Sequence, residues 1–264
     1  MASADEILSI VAAVFYFVLL GQFAIRFARS FWWVYFFIAL FCTIRVAAYI
    51  VRAFVDSNAI VVGSSQWISL YIAEVTLLSI GVIFILAILA RLYHSVLPKL
   101  RHLHGNQEKG KFEATLVDRT RLLLLPIIAC VIVGAVLATP GYTASQMNTG
   151  LILRKVSVLG LLAISLVFLY AAWNYRMRYP DYTRPFNVCL LVTALFVASL
   201  IYKIVATFNP TVQTTTWAFF VFSPLLELVA LAVLSIDLQA LFLGREQDMI
   251  TKDEESEMHQ SSNL

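Results

Sequence analysis

Charge is scarce in this chain, and histidine and cysteine are scarcer still. Of 264 residues, 13% are charged and 61% are hydrophobic, and the mean hydropathy is +0.84. A water-soluble domain of this length cannot hide so much apolar surface inside itself, so the composition requires a bilayer.

The three cysteines, Cys42, Cys130 and Cys189, all fall inside long apolar stretches. No pair stands in a connection, which excludes a receptor-style extracellular disulfide and leaves them as small packing residues. The four histidines, His94, His102, His104 and His259, stand outside those stretches. Intramembrane metal hydrolases and haem-bearing helices need imidazole within the spans, so neither a metal nor a cofactor is expected. The last stretch carries Glu227 and Asp237 but no lysine, which excludes a retinal Schiff base there. The sequence has no phosphate-binding glycine loop, dinucleotide fingerprint or nucleophile elbow. Asn209 is followed by Pro210, and no other asparagine opens a glycosylation sequon. Enzymatic readings have nothing to stand on.

What the chain does have is long apolar runs. A hydrocarbon core about 30 Å thick takes about 20 mostly apolar residues to cross as a helix. Seven stretches qualify: 7–25, 32–54, 67–93, 122–139, 152–173, 186–208 and 216–243. The unbroken runs at 75–90 and 122–138 exclude the alternating strands, about ten residues long, of a membrane barrel. The expected fold is an all-α membrane protein, a seven-transmembrane-helix bundle over 1–243. The first stretch follows Asp5 and Glu6 without a basic segment or a small-residue cleavage site, and it reads as a membrane helix rather than a removable signal.

The basic residues give the orientation. Arg26 and Arg29, then Arg91, Lys99, Arg101, Lys109, Lys111, Arg119 and Arg121, then Arg176, Arg178 and Arg184, then Arg245 and Lys252 fall in alternate connections or the tail, Arg91 at the very end of its stretch. These fourteen of the nineteen Lys and Arg residues mark one side as cytosolic. The N-terminus is expected outside, and the loop at 94–120 and the C-terminus in the cytosol. The net charge of +3 then reflects sidedness and argues against nucleic-acid binding. The segment 244–264 carries six acids and few apolar residues, which predicts a disordered cytosolic tail. Phe31, Trp32, Trp33 and Tyr35, and again Trp173, Tyr175, Tyr179 and Tyr182, gather where the stretches end, as aromatic side chains do at the headgroup level.

Charges within the spans are the strongest functional signal, because each costs about 2.5–3.5 kcal/mol to insert at the bilayer centre. Four stand out: Arg45, Glu74, Lys203 and Glu227. At a rise of about 1.5 Å per residue they lie roughly 14, 10, 8 and 16 Å from the outer ends of their helices. Two bases and two acids at similar depth suit mutually neutralising pairs, Arg45 with Glu74 on adjacent helices and Lys203 with Glu227. Helical spacing adds polar or aromatic neighbours: Tyr49 and Arg52 to Arg45, Trp67 and Tyr71 to Glu74, Ser199 and Thr207 to Lys203, Ser223 to Glu227. Pro224 removes a backbone hydrogen bond one turn from Glu227 and predicts a kink there. Arg52, Arg154, Lys155 and Asp237, nearer the helix ends, are expected to snorkel to water. The cluster reads either as a polar cavity open to the outside or as buried pairs that fix helix register.

Thr43-Ile44-Arg45-Val46-Ala47 in the second stretch, Leu200-Ile201-Tyr202-Lys203-Ile204-Val205 in the sixth, and Glu227 in a proline-containing seventh resemble a family of fungal seven-transmembrane proteins. More distantly they resemble the RTA-like lipid-translocating exporters. The resemblance implies a multi-pass protein, of the plasma membrane rather than an internal one, that handles lipids or amphiphiles.

The expected function is a non-enzymatic, sensor- or receptor-like protein that binds a small amphiphile or lipid in an outward-facing cavity lined by Arg45, Tyr49, Tyr71, Glu74, Ser199, Lys203, Ser223 and Glu227. The alternative is a lipid or drug exporter. Membrane lipids are expected partners, with a possible cytosolic partner at 94–120 and the tail.

Overall fold

The computed structural model describes residues 4–57, 61, 64–104, 111–137, 143–209 and 216–243. Among these residues every regular element is a helix: α1 Ala4–Ser30, α2 Trp33–Asp56, α3 Ser65–His104, α4 Lys111–Leu137, α5 Ala144–Arg178, a 3₁₀ turn Pro180–Tyr182, and α6 Thr183–Phe208. The next helix, α7, is built of three pieces, Thr216–Phe220, a π-helical turn Val221–Leu225, and Leu226–Leu234, and is followed by the short α8, Leu238–Leu243. The protein is an all-α integral membrane protein.

Six of these helices are long and apolar enough to cross a membrane, α1, α2, α3, α5, α6 and α7. The remaining expected span falls in α4, Lys111–Leu137, where the apolar portion among the described residues is Leu124–Leu137.

Consecutive helices pack as antiparallel neighbours. α1 lies on α2, α2 on α3, α5 on α6 and α6 on α7, while α7 returns to touch α1 and α4 flanks α3 and α5. The faces turned inward follow the helical repeat. On α2 the buried residues are Val34, Tyr35, Ile38, Phe41, Cys42, Arg45, Ala48 and Tyr49, a stripe at steps of three and four. Phe15, Phe17, Val18, Tyr170 and Trp173 remain exposed, as a helix whose outer face meets lipid requires.

Local signals set the helix ends. Thr143 caps α5, its hydroxyl accepting from the Gln146 N–H at 3.4 Å while the Gln146 side chain accepts from the Thr143 N–H at 3.0 Å. Phe31 turns the chain out of α1 at φ 50°, a left-handed value that non-glycine residues adopt at a cost. Its N–H still donates to the Phe27 carbonyl at 2.7 Å, and its ring meets the Phe27 ring edge-on.

Two expected boundaries change. The connection expected at 94–120 is helical on both sides, α3 running on to His104 and α4 starting at Lys111. Basic residues marked a cytosolic segment, but Val96, Leu97, Leu100 and Leu103 continue a helical apolar repeat through it. The seventh stretch, expected to reach 243, breaks after Leu234. Asp237 opens α8, its side chain accepting from the Ala240 N–H at 3.2 Å, so it serves as a cap. The tail expected at 244–264 lies outside the described residues.

Candidate functional site

The stripe that buries α2 carries Arg45 into the bundle with it, and Arg45 is fully buried. Its Nη2 donates to Glu227 Oε1 of α7 at 2.7 Å, and its Nη1 donates to the Leu78 carbonyl of α3 at 2.8 Å. The guanidinium lies flat against Gly81, where a Cβ would come within 2.8 Å of Arg45 Cζ. Any side chain larger than glycine at that position would occupy its seat.

Glu227, also buried, gathers three donors from three helices. Besides Arg45, Lys203 Nζ of α6 donates to Oε1 at 3.1 Å, and the Tyr16 hydroxyl of α1 donates to Oε2 at 3.2 Å. The π-helical turn contains Pro224, whose missing N–H cannot close an α-helical bond. The Tyr16 hydroxyl also lies 3.4 Å from the Pro224 carbonyl. The kink expected at Pro224 is thus a widened turn that ends at Leu225, two residues before Glu227. One carboxylate serves two cations here, and the ties join α1, α2, α6 and α7.

Glu74 is not the partner of Arg45. It accepts from Arg52 Nη1 at 2.9 Å, and Arg52 Nε lies 3.4 Å from Asp56 Oδ2 on the same face of α2. The expected Arg45–Glu74 pair fails because Cα–Cβ bonds tilt toward the N-terminus of each helix. On antiparallel α2 and α3 the two side chains therefore lean apart. Arg45 reaches Gly81, seven residues and roughly 10 Å along α3 from Glu74, while Arg52 leans toward Glu74. Arg52 does not snorkel freely: its guanidinium also lies 3.9 Å from the Phe219 ring centre of α7.

Beside these clusters lies a cavity of about 360 Å³. Its walls come from the C-terminal ends of α2, α4 and α6 and the N-terminal ends of α3, α5 and α7, so it sits at the end of the bundle where the chain begins. Charged residues Arg52, Asp56, Glu74, Arg154 and Lys203 meet apolar Leu78, Val82, Leu161 and Leu200 around it. Trp67 and Tyr71 stack in parallel on its wall, with ring centres 5.3 Å apart. The volume lies within the range of about 300–1,000 Å³ usual for small-molecule sites.

The sequence-derived residues divide between two places. Tyr71, Glu74 and Lys203 line the cavity. Arg45 and Glu227 form the buried knot beside it, with Tyr49 stacked on Tyr16 at 5.6 Å. Ser199 and Ser223 are buried on α6 and α7, and neither bonds to a member of the knot. The Tyr49 hydroxyl, Ser199 Oγ and Arg45 Nε have no hydrogen-bond partner among the described residues. Sequence reasoning missed Tyr16, Gly81 and Asp56, and it read Arg154 as a snorkelling residue, whereas Arg154 lines the cavity. A tyrosine on an apolar helix and a glycine seven residues from Glu74 carry no signal until the helices are packed. All three cysteines are free.

Compared with protein-family models, curated proteins and solved structures, the chain matches none of them.

Proposed function

We propose that the chain is a non-enzymatic seven-helix membrane protein, N-terminus outside, that binds a small amphiphile in the cavity between α2, α3, α5 and α6 as a sensor or receptor-like protein. The observation that carries this reading is the composition of the cavity wall. Charged side chains and an aromatic pair share it with Leu78, Val82, Leu161 and Leu200, so one end of a ligand meets polar groups and the other meets hydrocarbon. Kinship with the fungal seven-transmembrane proteins is part of the proposal.

Export is the second reading, and the buried knot weighs against it. Passage through the bundle would require α2, α6 and α7 to separate, which breaks the charge-assisted bonds of Arg45 and Lys203 to Glu227 and leaves buried charges uncompensated. A binding protein keeps them intact. The partner-facing surface of a receptor would then be the basic inner ends of α3 and α4, around 94–104 and 111–121.

A photoreactive long-chain alcohol tests the proposal. Cross-linking should fall on peptides spanning 151–161 and 200–207 and be competed by excess unlabelled dodecanol. Labelling confined to lipid-facing residues such as Phe17 and Tyr170, without competition, would remove the cavity from consideration.

A further inference from the structure

The charges around the cavity do not balance from wall to wall, and the imbalance bears on the ligand. On the α2–α3 side, Arg52 meets two carboxylates, Glu74 at 2.9 Å and Asp56 at 3.4 Å. On the α5–α6 side, Lys203 shares Glu227 with Arg45, which holds the shorter contact, 2.7 Å against 3.1 Å. Arg154 of α5 lines the same cavity, half-buried, and among the described residues no carboxylate pairs with it. The segments 58–60, 62–63, 138–142 and 210–215, which include the connections at this end, contain no Asp or Glu. Asp5 and Glu6 stand on α1, which packs on α2 and α7. Three cations, Arg45, Lys203 and Arg154, thus face one carboxylate.

The Arg154 side chain is held in place. Its stem packs on Gly134 of α4, where a Cβ would come within 3.1 Å of Arg154 Cγ. The neighbouring hydroxyls are already committed to backbone: Ser157 donates to the Arg154 carbonyl at 2.8 Å, and Thr207 donates to the Lys203 carbonyl at 2.6 Å. The strong donors left on this wall are the guanidinium of Arg154 and the ammonium of Lys203. A partly buried cation without a counterion is costly, and a guanidinium presents a fork of donors matched to carboxylate or phosphate oxygens.

Resting on the cavity reading above, we infer that the ligand is an amphiphile with an anionic head group, a carboxylate or phosphate, held by Arg154 with Lys203 beside it. The head supplies the charge that the α5–α6 wall lacks, and the alkyl chain runs along Leu161, Leu200 and Val82. The Asp56–Glu74 wall opposes a second anion and fixes which way the head points.

Scintillation-proximity binding to the full chain in neutral maltoside micelles tests this, with four dodecyl probes that share one chain: laurate, dodecyl phosphate, dodecanol and dodecyltrimethylammonium. Laurate and dodecyl phosphate should bind about tenfold or more tighter than the other two, the worth of one charge-assisted contact. Arg154→Gln should lower laurate and dodecyl phosphate binding by about tenfold and dodecanol binding by much less, so that the preference for anions disappears, and Arg154→Lys should restore part of it. Inorganic phosphate should compete only far above the concentration of dodecyl phosphate that suffices; equal potency would assign the site to a soluble anion and overturn the amphiphile. Equal or tighter binding of the ammonium probe, or an Arg154→Gln protein that keeps the preference for anions, would overturn the head-group assignment while leaving the cavity reading standing. Binding of none of the four would overturn both.

Discussion

Arg45 and Glu227 stand 182 residues apart in sequence and meet at 2.7 Å, both almost completely shielded. Lys203 leans on the same carboxylate oxygen at 3.1 Å, so the knot holds two positive charges against one negative. This asymmetry makes Glu227 the member whose loss exposes the most uncompensated charge. Arg45 in turn can leave while Lys203 remains to neutralise the carboxylate.

The first prediction follows from that count. Glu227→Ala orphans two cations and should cost about 3–5 kcal/mol, the range for breaking a buried ion pair. Arg45→Met should cost less, and Arg45→Met combined with Lys203→Met and Glu227→Met should recover much of the loss because neutral groups of similar size replace the set. Unfolding of the purified variants in micelles, followed by circular dichroism against added dodecyl sulfate, measures the order. Equal losses for Glu227→Ala and Arg45→Met would show that Lys203 is not a true partner.

The seat of Arg45 on Gly81 gives a second. A methyl group at Gly81 would lie 2.8 Å from Cζ, 3.0 Å from Nη1 and 3.1 Å from Nε. An arginine tip is ordinarily flexible, but this one is pinned by Glu227 and by the Leu78 carbonyl. Gly81→Ala should therefore destabilise by about 1–3 kcal/mol, as overpacking does. In an Arg45→Met background the same substitution should be close to neutral, since the groups it meets are gone. A Gly81→Ala penalty of the same size in both backgrounds would place the strain elsewhere.

The helical, membrane-embedded character of the chain was legible because it rests on apolar stretches that need no partner to be recognised. That Arg45, Glu74, Lys203 and Glu227 are charges inside apolar stretches was legible for the same reason, since such a charge is conspicuous alone. Partner choice was not. It depends on the lean of each side chain along its helix, on the space at Gly81 and on the π-helical turn that sets the rotation of Glu227, and these exist only once helices are packed. Arg52 was read as a snorkelling residue from its place near a helix end, whereas its length lets it reach inward to Glu74. The far end of α3 was misjudged because charge counting marks a loop while the apolar repeat at Val96, Leu97, Leu100 and Leu103 continues the helix.

The corrected pairing yields a third prediction. In a double-mutant cycle, Arg52→Gln and Glu74→Gln share a 2.9 Å contact and should couple within the range of about 0.5–3 kcal/mol typical of neighbours. Arg45→Met and Glu74→Gln should add to within about 0.3–0.5 kcal/mol, as separated sites do. The arrangement described above does not survive if the second pair couples more strongly than the first. Chemical unfolding in micelles supplies all the required values.

The last prediction concerns sidedness, on which the meaning of the cavity depends. The basic residues gather at the end of the bundle opposite the cavity, with Arg176 and Arg178 in the last turn of α5 and Arg29 in the last turn of α1. Short connections rich in Lys and Arg stay cytosolic, so the cavity should open to the outside, where Lys203 and Arg154 would meet ligands from the external medium or the outer leaflet. Two exposed positions, Val61 and Met177, lie at opposite ends of the bundle. In a background with Cys42, Cys130 and Cys189 replaced by alanine, Val61→Cys should react with an impermeant maleimide on intact cells. Met177→Cys should react only after permeabilisation. The inverted pattern would turn the cavity toward the cytosol and replace an external amphiphile with one drawn from the inner leaflet. The packing of the charges, which is indifferent to direction, would stand unchanged.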